Sequence, residues 1–244
     1  MKVIKLEEVD STNSYAKLNI DTLEDKTVIH ALKQYSGRGR FDRKWVDLGK
    51  ENLFFSIVLK PSEKYIDILS NITQYACIVL CEILEKYGIN PQIKWPNDVM
   101  IDGERKISGI LSESVIEGGK LKGLVVGIGV NLNANIKDIE NIKDRTATSL
   151  NIEIGKAVNM DYFLEEFLSE FFKNYDNLLN KGFTYIKENY KKRNCFLNKD
   201  LSVQVLNEIK SGYATDINDR GELVLRTRDN EELTLSIGDI LWTI

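Results

Sequence analysis

Lys94-Trp95-Pro96-Asn97-Asp98-Val99-Met100-Ile101-Asp102-Gly103-Glu104-Arg105-Lys106-Ile107-Ser108-Gly109-Ile110-Leu111 is the stretch that decides the fold. Asp102-Gly103 is a strong hairpin signal between two strand-like runs. Gln92 to Ile101 and Glu104 to Glu117 therefore read as consecutive strands. Gly118-Gly119 makes a second turn, and Lys120 to Asn133 reads as a third strand. The residue before a proline is pushed into extended backbone, so Trp95 is expected to be extended, with Asn97-Asp98 just beyond a rigid point. The register stays open. A three-residue loop (Asp102, Gly103, Glu104) puts Met100 opposite Lys106 and Asp98 diagonally on the same face. A two-residue loop sends Lys106 and Asp98 to opposite faces.

Upstream, Lys2 to Val9, Thr27 to Gln34 and Asn52 to Lys60 read as strands, the last stopped by Pro61. Asp10-Ser11-Thr12-Asn13 has helix-capping chemistry and opens a short helix through Leu18. Ile66 to Tyr87 is the clearest helix, because Leu69, Ile72, Ala76, Val79, Ile83 and Tyr87 recur at spacings of three and four. Gly88 is placed to end it. Asp161 to Leu179 repeats the pattern with Phe163, Phe167 and Phe171, and Thr184 to Asn194 reads as one more helix.

After Cys195 the texture changes. Leu201 to Leu206, Ile209 to Ile217, Leu223 to Thr227 and Glu232 to Ile237 are short alternating strands joined by turn-forming polar residues. The expected fold is α+β: a mixed, largely antiparallel sheet with packed helices over residues 1–194, and a small all-β module over residues 195–244.

A chain of 244 residues can bury a large core. Its net charge of −4 gives no global signature of nucleic-acid binding, so DNA is not an expected partner. Residues 1–10 lack the apolar core of a signal peptide, and the longest apolar runs read as far short of a membrane span. Three unevenly placed cysteines fit a reducing compartment, so a cytoplasmic location is expected. Cys77 and Cys81 read as small buried hydrophobes, and His30, the one histidine, as structural. With so few soft donors, no protein-bound metal site is expected.

Four constellations carry chemistry. The first is the basic glycine loop Ser36-Gly37-Arg38-Gly39-Arg40-Phe41-Asp42-Arg43-Lys44-Trp45. Glycine permits close backbone approach, arginine offers a planar fork for phosphate or carboxylate, and Trp45 offers a flat face. Such a loop is expected to move when nothing is bound. The second is Asp98 with Lys106 on the hairpin, suited to an activated acid. The third is Gly127-Ile128-Gly129-Val130-Asn131, whose glycines clear space for close packing or a ligand. It lacks the third glycine of a dinucleotide fingerprint, and no GxxxxGK[ST] occurs, so a nucleotide here is not held by a P-loop. The fourth is Ser11-Thr12-Asn13, either a plain helix cap or donors and acceptors for a polar head group such as a ureido ring.

In this order these segments resemble the biotin–protein ligases. The matching pieces are Asp10-Ser11-Thr12-Asn13, Gln34, Gly37-Arg38-Gly39-Arg40 with Arg43 and Trp45, Lys94-Trp95-Pro96-Asn97-Asp98, Lys106 with Gly109-Ile110-Leu111, and Gly127-Ile128-Gly129-Val130-Asn131. The resemblance implies a biotin/lipoate ligase-like catalytic domain followed by an SH3-like β-barrel. It implies formation of biotinyl-5′-AMP from biotin and ATP with magnesium, then transfer of biotin to a lysine of a biotin carboxyl carrier protein. It implies that Ser11, Thr12, Asn13 and Gln34 hold the biotin ring and that Arg38-Gly39-Arg40 folds over the intermediate. It implies that Trp45 packs by the adenine with Asn131 nearby, and that Arg43, Asn97 and Gly109 belong to the same site. By the same resemblance Lys106 would bridge carboxylate and α-phosphate, Arg40 would offset their repulsion, and Asp98 would orient or deprotonate the acceptor lysine. Asp42 departs from the glycine frequent in this family. The start of the chain leaves no room for the DNA-binding winged helix of some members, so repression is not expected. Monomer and homodimer are both compatible. The nearest alternative is a lipoate or octanoate ligase-type acyltransferase, whose Arg-Arg…Gly-Gly-Gly stretch is missing. A non-catalytic nucleotide- or biotin-binding protein is the other.

Overall fold

Two sheets, one large and mixed, one small and antiparallel, organise the computed structural model, which describes residues 1–41, 43–49, 51–140, 142 and 146–241. The large sheet contains β1 (Val3–Leu6), β2 (Val28–Ala31), β3 (Leu53–Leu59), β4 (Pro91–Lys94), β5 (Asp98–Ile101), β6 (Arg105–Glu117) and β7 (Lys120–Val130). Their order is β1-β2-β3-β7-β6-β5-β4, and only the β1–β2 pair is parallel. The mixed, largely antiparallel sheet expected from sequence is therefore present.

Both faces of this sheet are covered, which is why all seven residues of β3 are buried. On one face α1 (Thr12–Leu18) and the turn after it bring Ala16, Ile20 and Leu23 against Ile29, Val58 and Val125. On the other lie α2 (Leu69–Lys86) and α5 (Met160–Lys181). The periodic phenylalanines of α5 point inward: Phe167 meets Phe55 edge-on at 5.3 Å and stacks on Phe171 at 5.8 Å. Truncating Phe167 to alanine would cost about 3–5 kcal/mol. The helical stretch Glu63–Lys86 is, contrary to the sequence reading, long and apolar enough to cross a membrane; 67% of its most apolar window is buried, and it serves as the core helix.

One predicted strand divides. Gln92 to Ile101 is not continuous: Trp95-Pro96-Asn97 forms a turn with a cis Trp95–Pro96 bond, and β4 folds back on β5 with Lys94 opposite Asp98. Trp95 is thus not mid-strand, and its indole is 2% exposed beneath the small sheet. Short helices α3 (Ile136–Glu140) and α4 (Leu150–Ile154), absent from the sequence reading, follow β7. The last predicted helix, before Asn194, is shorter, a 3₁₀ turn leading into α6 (Lys187–Lys192).

The small sheet contains β8 (Asp200–Val205), β9 (Glu208–Ile217), β10 (Leu223–Arg226), β11 (Glu232–Leu235) and β12 (Asp239–Leu241), ordered β11-β10-β9-β8-β12 and wholly antiparallel. It matches the expected SH3-like module. Three buried polar side chains fasten it to the large sheet's helices and turn. Trp95 Nε1 and Gln74 Nε2 donate to the Gly221 carbonyl at 3.0 and 2.7 Å, and Asn71 Nδ2 donates to the Arg220 carbonyl at 2.8 Å. Cys77, Cys81 and Cys195 are buried free thiols, and His30 is buried within β2.

Candidate active site

The β5–β6 hairpin adopts the three-residue loop. Asp102 and Gly103 take the left-handed conformation (φ 56° and 69°), Ile101 pairs with Arg105 and Met100 with Lys106. A bulge at Val99/Met100 then places Asp98 opposite Gly109. Lys106 and Asp98 share a face, with Nζ 2.7 Å from Oδ1 and side chains 14% and 16% exposed. An ion pair this sheltered loses less to water and salt than a surface pair.

Three glycines make room for the side chains over the sheet. A Cβ at Gly109 would lie 2.8 Å from Lys106 Nζ and 2.9 Å from Trp45. One at Gly129 would lie 2.6 Å from Trp45, and one at Gly127 would collide with the Asn13 amide. These gaps let Trp45 lie on β6 and β7, with Lys106 Nζ 5.2 Å from the indole ring, within cation–π range.

The basic loop is folded down as a hairpin. Trp45 N donates to Gly37 O at 2.9 Å and Gly39 N to Arg43 O at 2.7 Å. Each of its arginines has an acceptor. Arg40 donates to Asn97 Oδ1 at 3.2 Å and to the Gly238 carbonyl at 2.9 Å. Arg43 pairs with Asp239 of β12, and Arg38 with Glu113 of β6 at 3.2 Å. Burial pushes the Arg40 guanidinium below its usual range, and the charges of Asp239 and Asp98 pull it back up. Lys94 is likewise pushed down by burial and pulled up by Asp239 and Asp98. Asp42, the departure noted in the sequence, lies outside the described residues.

At the other end of the pocket the Ser11-Thr12-Asn13 stretch does more than cap α1. Ser11 holds the cap position but makes no capping hydrogen bond with its side chain. Gln34 Oε1 accepts from Thr12 N at 2.7 Å and from Thr12 Oγ1 at 3.2 Å. Ser56 Oγ lies 2.7 Å from Thr12 Oγ1 and donates to Asn13 Oδ1 at 2.6 Å. All of these side chains are buried. Such a linked polar set in a cavity wall presents fixed donors and acceptors to a neutral polar group.

Ser11, Thr12, Asn13, Gln34, Arg38, Gly39, Arg40, Arg43, Trp45, Asn97, Asp98, Lys106 and Gly109 all line one pocket, with Asp239 joining them from the small sheet. Asn131 lies next door, lining a second recess with Trp45, Lys106 and Ala147. Its Nδ2 donates to Thr148 O at 2.9 Å. The candidate catalytic and ligand-binding residues named from sequence thus line this cavity or the recess beside it. Sequence reasoning missed Ser56, Glu113, Gly238 and Asp239. They reach the site from positions far away in the chain, and no local motif marks them.

Residues 6–131 match the model of the Biotin/lipoate A/B protein ligase family. The chain belongs to this family. Among ligase-family relatives, the biotin–[acetyl-CoA-carboxylase] ligase of Paracoccus denitrificans is 30% identical over 91% of this chain and 92% of its own length. The bifunctional ligase/repressor BirA of Bacillus subtilis is 30% identical over 83% of this chain, which spans 62% of that relative's length. A biotin protein ligase from Aquifex aeolicus, solved with biotin and ATP, superimposes with a TM-score of 0.84 at 28% identity, covering 98% of this chain and 97% of that one.

Proposed function

We propose that this ligase-family protein is an ATP-dependent biotin–protein ligase. It forms biotinyl-5′-AMP from biotin and ATP, then transfers biotin to one lysine of a biotin carboxyl carrier protein. The observation that carries this reading is one cavity with a neutral polar end (Thr12, Asn13, Gln34) and a cationic end (Arg40, Arg43, Lys106), joined beneath a folded loop. An elongated acid with a polar head fits that polarity. The same reading divides the chain into a catalytic part, residues 1–194, and an SH3-like module, residues 195–244.

A carboxylate is a poor acyl donor, because oxide is a poor leaving group, and adenylation supplies a better one. Attack of the carboxylate on the α-phosphate brings two anions together. Lys106 lines both the pocket and the Trp45 recess and would supply a positive charge at that junction, with Arg40 lining the same pocket. Such placed charges act without reorganising, and removing one typically costs about 10²–10³ in rate. Trp45 offers its face to the adenine, and Asn131 lies alongside. Folded down, the loop keeps water from the mixed anhydride.

In the second step the incoming lysine must be neutral, against a reference pKa of about 10.4. In this reading Asp98, which lines the cavity, orients that lysine and accepts its proton, with positioning carrying much of the effect. Magnesium enters as MgATP. Among the described residues no group of three or more His, Cys, Asp or Glu gathers to hold a metal. Magnesium bound to ATP is ordinarily held chiefly by phosphate oxygens and water.

The test is to mix the protein with MgATP, a purified carrier domain and either biotin or lipoate, then weigh the carrier. Biotin-dependent mass gain on one lysine is expected. Gain with lipoate alone would move the assignment to the other branch of the family.

A further inference from the structure

We infer that Glu113 is a positioning residue that clamps the basic loop to the head-group end of the pocket. Glu113 belongs to β6 but does not line the cavity; its side chain is 18% exposed. Three groups from two separate segments converge on its carboxylate. Asn13 Nδ2 donates to Oε2 at 2.9 Å, and Lys17 Nζ donates to Oε1 at 2.6 Å, both from α1. Arg38 of the loop lies 3.2 Å from the same Oε1.

The geometry assigns each contact a consequence. Asn13 also donates to the Leu111 carbonyl at 3.0 Å and accepts from Ser56 Oγ at 2.6 Å. The carboxylate and the Leu111 carbonyl, both acceptor-only, together fix which end of the Asn13 amide faces Ser56, and so which polarity the pocket wall offers. The same carboxylate holds Arg38, which sits two residues before Arg40. The front of the loop and the polar wall of the pocket thus share one anchor. Burial would raise the Glu113 pKa, but the hydrogen bonds from Lys17 and Asn13 and the charges of Lys17 and Arg38 outweigh it and hold it below the usual carboxylate range. The group is therefore a carboxylate at neutral pH. Asp239 and Gly238 hold the rear of the loop through Arg43 and Arg40, so losing Glu113 frees one end only.

Retention of the acyl-adenylate by this clamp rests on the function proposed above; clamping of the loop does not. Two measurements separate them. The first is trypsin cleavage of the wild type and Glu113→Gln, read by mass spectrometry at Arg38, Arg40, Arg43 and Lys44 without substrates. Glu113→Gln is expected to be cut there about tenfold faster, the worth of one partly sheltered charge-assisted hydrogen bond. The second is the rate at which isolated enzyme loses bound biotinyl-adenylate, for Glu113→Gln, Arg38→Gln, the double variant and Lys17→Met. Glu113→Gln and Arg38→Gln are each expected to lose it about tenfold faster, the double variant no faster than either, and Lys17→Met within about twofold of wild type. Arg38→Gln, altered on the exposed side, keeps the test open if Glu113→Gln folds poorly. Unchanged loop cleavage in Glu113→Gln, multiplied effects in the double variant, or equal loss from Lys17→Met would overturn the assignment. If the wild type makes no adenylate while loop cleavage still accelerates, the clamp stands and the proposed reaction fails.

Discussion

Lys106 Nζ stands 2.7 Å from Asp98 Oδ1, across a hairpin whose three-residue loop and single bulge bring the two side chains to one face. The two residues proposed for successive steps of one reaction are therefore in direct contact. An ammonium that leaves this carboxylate for an anionic junction frees the carboxylate for an incoming amine.

Lys106→Ala should abolish adenylate formation, with a rate loss of at least about 10²–10³. Biotin binding should persist, because the head-group residues Thr12, Asn13 and Gln34 lie at the far end of the cavity. Biotin-dependent exchange of labelled pyrophosphate into ATP, with calorimetry for biotin, checks both halves. Full exchange by the variant removes Lys106 from the first step.

Asp98→Asn should spare pyrophosphate release to within a few-fold and slow transfer to the carrier by about 10² or more. Single-turnover kinetics resolve the two steps. Equal losses in both would make Asp98 a support for Lys106 rather than a partner of the acceptor amine.

Arg40→Ala should let the intermediate escape. Arg40 ties the loop to Asn97 Oδ1 and to the Gly238 carbonyl, so its loss removes two charge-assisted hydrogen bonds. Free biotinyl-adenylate should appear in the medium at least about tenfold faster, the effect of losing one such bond. An intermediate retained as in the wild type argues that the closed loop does not guard it.

The glycines of β7 should separate the two ends of the pocket. Gly127→Ala drives a methyl into the Asn13 amide and should weaken biotin binding, leaving the KM for ATP nearly unchanged. Gly129→Ala pushes on Trp45, 2.6 Å from the new carbon, and should raise the KM for ATP while biotin binds normally. Titration of each variant with each substrate reads the split. Parallel loss of both affinities would mean a general collapse of the sheet.

Glu113 should make stability sensitive to acid. Its folded pKa lies below the ordinary 4.5, so the unfolded chain takes up the proton first as pH falls. Its contribution is complete above about 4.5 and is lost as pH falls through the lower folded value. The gap in melting temperature between wild type and Glu113→Gln should be constant from neutral pH to about 5 and shrink below that. A gap that widens in acid reverses the sign of the shift.

Much of this was legible in the sequence, because local signals mark it. The Asp102-Gly103 turn, the periodic faces of α2 and α5, and the Gly-Arg-Gly-Arg loop all act within a few residues. The choice between two hairpin registers was not legible, because Asp102-Gly103 suits a turn of either length and only the pairing of Ile101 with Arg105 decides it. Pro96 suggests a stiff point within one strand, whereas it sits in a turn between two. Ser56, Glu113 and Asp239 were missed for one reason. Ser56 is the single polar position in an otherwise apolar buried strand, Glu113 sits mid-way along a long strand, and Asp239 lies in a three-residue strand of the small sheet. Only the folded arrangement brings them to Asn13, Arg38 and Arg43.

The most direct measurement incubates the protein with biotin and MgATP, removes free small molecules by gel filtration, and analyses what stays bound by mass spectrometry. Biotinyl-5′-AMP in one-to-one ratio with the chain, matched by released pyrophosphate, is the predicted result. Biotin retained without AMP, or ATP retained intact beside it, would contradict the account.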